Sequence, residues 1–102
     1  MALSKARLTE VFTDSETIQA LEEIKRLLEI ITEDEDVNNS IKLKMLACVN
    51  YLYNGGASKE SIISPLGMAC VAVGTNDLME RKGGGVSFSP AFNTIANQVA
   101  RG

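Results

Sequence analysis

Helix start and stop signals divide this chain into segments of helix length, and this division limits its fold more than any other feature. Thr13 and Glu16 have the spacing of a capping box, which predicts a helix beginning there. Asn54-Gly55-Gly56 predicts a helix end, because glycine accepts a positive φ. Ser64-Pro65 and Ser89-Pro90 each predict a helix start, with serine as the cap and proline in the first helical position.

Apolar periodicity within these segments predicts a single all-α domain over residues 1–102, a small bundle of about four helices. The first helix has an apolar stripe with the members Ile18, Leu21, Ile24, Leu27, Leu28 and Ile31. It pairs with a second helix that follows the acidic turn 33–36 and ends near Tyr53, with the inward residues Val37, Ile41, Met45, Cys48 and Leu52. Residues 4–12 form a further short helical segment, with Leu8, Val11 and Phe12 facing inward.

The two Ser-Pro pairs predict the remaining two helices and the segment between them. The third helix runs from Pro65 to about Met79. The last runs from Pro90 to about Arg101, with the inward residues Phe92, Ile95, Ala96 and Val99. Gly83-Gly84-Gly85 between them predicts a hinge, and Val86-Ser87-Phe88 has modest strand character. We expect an extended arm or short strand here that reaches a neighbouring subunit.

Charge and hydropathy exclude several classes of partner. Ten Lys and Arg against 13 Asp and Glu give a formal net charge of -3, which is the wrong sign for a protein that neutralises phosphates. Lys5, Arg7 and Glu10 interrupt the N-terminal apolar residues, so the pattern of a signal peptide is not met. The longest uncharged apolar stretch, residues 66–74, is too short to span a bilayer. We expect a cytosolic origin and no membrane partner.

The residues needed for catalysis or for a metal site are not arranged as such sites require. The chain has no His, and Cys48 and Cys70 lie in apolar helical surroundings where a thiol is a small buried hydrophobe. The acidic turn resembles a calcium loop, but Asn39 stands where glycine is required and Met45 where glutamate should close the shell. The glycine tract follows its lysine, whereas a phosphate loop needs the lysine afterwards. We expect no enzyme activity, cofactor, metal or small-molecule substrate.

Small residues on one side of the third helix allow another backbone to approach closely. Gly67, Cys70 and Gly74 recur there at three- and four-residue steps. Two interpretations remain open: packing inside the subunit, or contact with another subunit.

The C-terminal part of the chain resembles a known family. Ser64-Pro65-Leu66 is followed by Asn76-Asp77-Leu78, a glycine-rich tract, Phe88-Ser89-Pro90 and Phe92, an order that resembles the head-to-tail connector proteins of long-tailed bacteriophages, also described as possible DNA-packaging proteins. The ending, residues 98–102, is similar to the Gln-Leu-Arg-Gly of one branch, with Val99-Ala100 in place of a single Leu. The resemblance covers residues 64–102 and is only general before them.

The resemblance implies a structural virion protein from a phage or prophage. Such subunits form a homo-oligomeric ring at the neck, between the portal protein and the next neck or tail protein, and extend the channel through which DNA passes without specific binding. The protein would be in the host cytoplasm before assembly. The subunit or portal contacts that we then expect are Gly67, Cys70, Gly74, Gly83, Gly84, Gly85, Val86, Phe88 and Phe92.

A different class of function is also compatible with a small helical chain. It is a regulatory domain, either a helix-turn-helix DNA binder or an inhibitor of a host protein. The helix from Pro65 has no Lys or Arg before Arg81, which disfavours it as a recognition helix.

Overall fold

The computed structural model describes residues 11–80 and 88–101, and over these two ranges the chain is all-α without a strand. The described helices are α1 (Asp14–Leu27), α2 (Glu35–Asn54), α3 (Lys59–Ile63), α4 (Pro65–Glu80) and α5 (Pro90–Arg101). The predicted all-α bundle is confirmed, with the short α3 in addition to the four helices expected. The predicted N-terminal segment lies outside the described residues except for its last two, and so does most of the predicted glycine-rich arm, residues 83–87.

The helix ends follow from the capping residues. The Thr13 hydroxyl accepts a hydrogen bond from the Glu16 backbone N–H at 3.1 Å, and the Glu16 carboxylate accepts one from the Thr13 N–H at 2.9 Å. The predicted capping box is thus confirmed. Asp34 caps α2 by accepting a hydrogen bond from the Val37 N–H at 3.0 Å. After α2, Gly56 takes a φ of 112°, a conformation that favours glycine.

Helices α2 and α4 form the central pair of the bundle, since each packs against every other described helix. Helix α1 packs against both of them on one side, and α5 packs against both on another. Within the described ranges α1 and α5 do not contact each other. The core between the helices is mainly aliphatic, and its most deeply buried large side chains include Ile24, Met45, Leu46, Ile62, Val71 and Phe92.

The apolar stripe predicted for α1 is only partly correct. Ile24 is fully buried, but Ile18 is 65% exposed and Ile31 is 97% exposed. The helix ends at Leu27, and Glu29 has a φ of 58°, so Ile31 lies beyond the helical repeat. The side of α1 that faces the core carries Thr17 and Ala20, which give little apolar signal. Exposed Val37 in α2 is a second departure from the predicted inward set.

The later helices agree closely with prediction. Helix α4 starts at Pro65 and α5 covers the predicted range. In α5, Phe92, Ala96 and Val99 are buried and Ile95 packs against the core. No helix among the described residues has both the length and the apolar character required to cross a membrane.

Candidate functional site

Hydrogen bonds join the end of α4 to the residues just before α5. The Asp77 carboxylate at the end of α4 accepts from the Ser89 backbone N–H at 2.9 Å and from the Ser89 hydroxyl at 2.7 Å. The same serine oxygen accepts from the Phe92 N–H at 3.2 Å and so caps α5. We call this arrangement the Asp77–Ser89 junction. It fixes the end of α4 beside the start of α5, on either side of residues 81–87.

Three aromatic side chains, Tyr51, Phe88 and Phe92, pack against one another next to the junction. The rings of Phe88 and Phe92 are stacked with centroids 4.0 Å apart. Tyr51 of α2 lies 5.1 Å from the Phe88 ring and 5.8 Å from the Phe92 ring, in tilted geometry. Such pairs add about 0.5–1.5 kcal/mol to the burial of the rings themselves. Phe88, predicted to contact a neighbour, is partly buried against its own core.

The small residues of α4 are used inside the subunit. A Cβ atom built on Gly67 would lie far closer than 3.0 Å to the backbone carbonyl oxygens of Ser61 and Ile62, because α3 passes directly over that position. Cys70 has no exposed surface. The interpretation of this side of α4 as internal packing is therefore the one that the structure supports, and the predicted subunit contact at Gly67 and Cys70 is corrected.

Gly74 and Phe92 require the same correction. A Cβ atom on Gly74 would come within 2.6 Å of the Phe92 ring and 2.7 Å of the Cys48 sulfur. Gly74 thus makes the space in which the fully buried Phe92 ring packs. Neither residue is on the surface, so neither can meet another subunit. Of the remaining predicted contact residues, Gly83, Gly84, Gly85 and Val86 lie outside the described residues.

Both thiols are buried and free, as predicted for small hydrophobic side chains. Burial raises the pKa of the Cys48 thiol to about 12, although the Thr75 hydroxyl, 4.0 Å from the sulfur, acts in the opposite direction. Burial also raises the pKa of Cys70 to about 11. Both are protonated at neutral pH, so neither supplies the thiolate that nucleophilic or metal-binding chemistry needs.

A groove lined by side-chain amides lies between α2 and α5. Its volume is about 800 Å³, and the described residues that line it include no charged side chain. The lining residues are Ala47, Asn50, Tyr51, Leu52, Asn54, Gly55, Asn93, Ala96, Asn97 and Ala100. The Oδ1 atom of Asn50 is buried and accepts no hydrogen bond from the described residues. We call this feature the amide groove; sequence reasoning missed it.

A smaller cleft lies on the α1 side of the bundle. It has a volume of about 240 Å³, and we call it the apolar cleft; its walls are Phe12, Glu16, Gln19, Ala20, Glu23, Ile63 and Met68. Lys59 binds Glu16 at its edge at 2.7 Å, and this ion pair, with the Thr13 N–H, lowers the pKa of Glu16. Ile63 is 51% exposed. Among the described residues, the amide groove and the apolar cleft have no lining residue in common.

The acidic residues are concentrated on the surface rather than in a site. Residues 33–36 at the start of α2 are all exposed. Among the described residues, no group of His, Cys, Asp or Glu is arranged to hold a metal ion.

The spacing of four asparagines in the sequence is related to the amide groove, but its meaning is clear only once the fold is known. Asn50 and Asn54 are four residues apart on α2, and so are Asn93 and Asn97 on α5. This spacing places each pair on one side of its helix. Nothing in the sequence, however, shows that the two pairs line the same groove.

Comparison with known proteins gives no matching family model, no matching curated protein and no matching solved structure.

Proposed function

We propose that this chain is a structural subunit of the neck of a long-tailed bacteriophage. In this role, copies form a ring between the portal and the tail and extend the DNA channel. The proposal rests on the motif order in residues 64–102. It is supported by one observation above the others: Asp77 and Ser89, which belong to separate motifs, are hydrogen-bonded to each other.

The distribution of surfaces also suits a ring. A ring needs a head-to-tail contact, in which each subunit offers two different faces. The amide groove and the apolar cleft provide two such faces, which differ in chemistry and have no described lining residue in common. Exposed apolar side chains extend both: Leu43, one helical turn before Ala47, is 55% exposed, and Leu66 follows Ile63 at the α3–α4 corner.

The charge distribution suits a channel through which DNA moves. The exposed acidic turn 33–36 repels phosphates and gives no site for tight DNA binding. The alternative of a helix-turn-helix DNA binder has less support. Helix α4, which would follow the turn, packs against all the other described helices and carries no basic residue. It has no free side to place in a major groove.

Light scattering over a range of concentrations, with negative-stain imaging, tests the proposal. It is done with the chain alone and with the portal protein encoded in the same phage or prophage genome. We expect rings in at least the second sample. A stable monomer in both would contradict the proposal, and tight binding to duplex DNA in a low-salt gel shift would favour the regulatory alternative.

A further inference from the structure

We infer that Asn54 is a site of spontaneous deamidation, and that the last turn of α2 controls its rate. This covalent modification needs no partner and no cofactor, so it is independent of the proposed function. Three features support it: the residue that follows Asn54, the exposure of its side chain, and the hydrogen bonds that hold the end of α2.

The reaction uses two adjacent residues and water. The Gly55 backbone nitrogen attacks the side-chain carbonyl carbon of Asn54, and a C–N bond forms. The side-chain amide leaves as ammonia, with the proton that the Gly55 nitrogen loses, and a succinimide ring remains. Water then adds to either ring carbonyl and breaks its bond to the nitrogen, which leaves aspartate or isoaspartate at position 54. The net change is the gain of water and the loss of ammonia, without any oxidant or reductant.

Asn54 is the asparagine whose following residue hinders this attack least. A side chain on the following residue crowds the attacking nitrogen, and glycine has none. Of the asparagines in the chain, only Asn54 precedes a glycine. Asn54 and Gly55 are also exposed and line the amide groove, so water can reach the succinimide. Asn39, which is exposed near the start of the same helix, precedes Ser40 and is a natural comparison.

In the folded chain the attacking nitrogen is engaged elsewhere. The Gly55 N–H donates to the carbonyl oxygen of Tyr51 at 3.0 Å and to that of Leu52 at 3.2 Å. For attack, this group must turn toward the Asn54 side chain and lose its proton, so both hydrogen bonds must break. We expect these two bonds to lower the reactive population by about ten-fold or more.

The turn after α2 decides how often these bonds break. The Gly56 N–H donates to the Tyr53 carbonyl at 3.1 Å, and the N–H of the buried Ala57 donates to the Leu52 carbonyl at 3.0 Å. Against this anchor, two adjacent glycines leave the backbone free to rotate, and no basic side chain in the last turn stabilises its carbonyls. Helix ends open more readily than a whole domain unfolds. The reaction should therefore proceed by opening of this turn alone.

Deamidation would change the end of α2 in two ways. A carboxylate would replace the neutral amide beside the partial negative charge of the helix C-terminus, which is unfavourable. Isoaspartate would also lengthen the backbone by a CH₂ group, so the Gly55 N–H could no longer align with Tyr51 and Leu52. The modification would thus loosen the turn and put a negative charge on the amide groove, whose described lining residues have none.

Prolonged incubation of the full chain at neutral pH, followed by proteolysis and mass spectrometry, measures the rate at each asparagine. A peptide of residues 51–57 with blocked termini gives the rate without the fold. We expect Asn54 to react before Asn39 in the full chain, about ten-fold or more slowly than in the peptide. No reaction at Asn54, or a faster one at Asn39, would overturn the assignment of the site. Equal rates in chain and peptide would overturn control by the end of α2.

Gly55→Ala tests the chemistry apart from the fold. In the peptide, the added methyl group crowds the attacking nitrogen, so the reaction at Asn54 should slow by about ten-fold. An unchanged rate would show that the Gly55 nitrogen is not the attacking group.

Ala57→Gly tests the opening of the turn in the folded chain. It removes the buried methyl group that anchors the turn, so the rate at Asn54 should rise about four-fold. Ala20→Gly is the matched control, because Ala20 is also buried but lies in α1, outside this turn. It should leave the rate unchanged. If Ala20→Gly raises the rate as much as Ala57→Gly does, the reaction follows unfolding of the whole domain, and control by the last turn of α2 is wrong.

Discussion

Replacing Gly67 by alanine tests whether α3 and α4 are in the close contact described. In an open helical position, this change stabilises a protein by about 1 kcal/mol, because glycine is the poorer helix former. At Gly67 the added Cβ meets the backbone of Ser61 and Ile62 rather than a mobile side chain. Helix α3 would have to move away by about 1 Å, with an overpacking cost of about 3 kcal/mol.

The movement of α3 has a second cost. The Ser64 hydroxyl, which donates to the Ser61 carbonyl at 2.7 Å, would lose this bond, at about 1 kcal/mol. The net expectation is a destabilisation of about 3 kcal/mol and a midpoint of thermal unfolding lower by about 12–24 °C. Urea and thermal unfolding, followed by circular dichroism, measure both quantities.

Gly55→Ala is the matched control for this experiment. Gly55 has an ordinary φ of -85°, and a Cβ atom there would meet its nearest neighbour, the Tyr51 carbonyl oxygen, at 3.2 Å. We expect a change of less than about 1 kcal/mol. A Gly67→Ala variant that is as stable as the wild type, or more stable, would refute the close approach of α3 and reopen the question of a subunit contact at this position.

Three further predictions concern the core and the junction. Gly74→Ala should destabilise the protein by about 1–3 kcal/mol, because the added methyl displaces a buried ring; unchanged urea unfolding would contradict this. Asp77→Asn and Ser89→Ala should each cost about 1–2 kcal/mol, and a double-mutant cycle should give a coupling above about 0.5 kcal/mol; strict additivity would mean that the junction does not form. Cys48 and Cys70 have raised pKa values in the folded state, so the unfolded chain loses these protons first. Stability should therefore fall as the pH rises from 9.0 toward about 12, and cysteine-to-alanine variants should show a smaller fall.

Helix boundaries could be predicted from the sequence because capping is local. The capping box at Thr13, the Asp34 cap and the Ser-Pro pair at Ser89 each satisfy backbone groups within a few residues of themselves. Helix α3 was missed because it has only five residues, which is too short for a periodic pattern, although Ser58 caps it in the usual way. The positive φ of Glu29 had no sequence signal, so the stripe of α1 was extended too far.

The candidate site depended on tertiary contacts and was less predictable. Gly67 and Gly74 lie on the same side of α4, and this predicted that another part of the structure packs closely there. The groups that do so, α3 and the Phe92 ring, could not be identified from the spacing alone. Ser89 was identified as a cap, whereas its bond to Asp77 spans twelve residues. The amide groove could not be predicted, because it is formed by residues of both α2 and α5 and the sequence of neither helix shows how the two pack together.

The position of α2 and α4 at the centre of the bundle has a consequence for how the chain folds. They are joined through α3 alone, so their mutual contacts close short loops, whereas α1 and α5 are added at the two ends of the sequence. Short loops cost the least entropy to close, so residues 35–80 should form the folding nucleus. Rate measurements on core variants should then give high φ-values for Met45 and Val71, and low ones for Ala20 and Val99. The two outer helices would largely set the unfolding rate, which makes the ends of the chain the place to alter the lifetime of the folded subunit without slowing its formation.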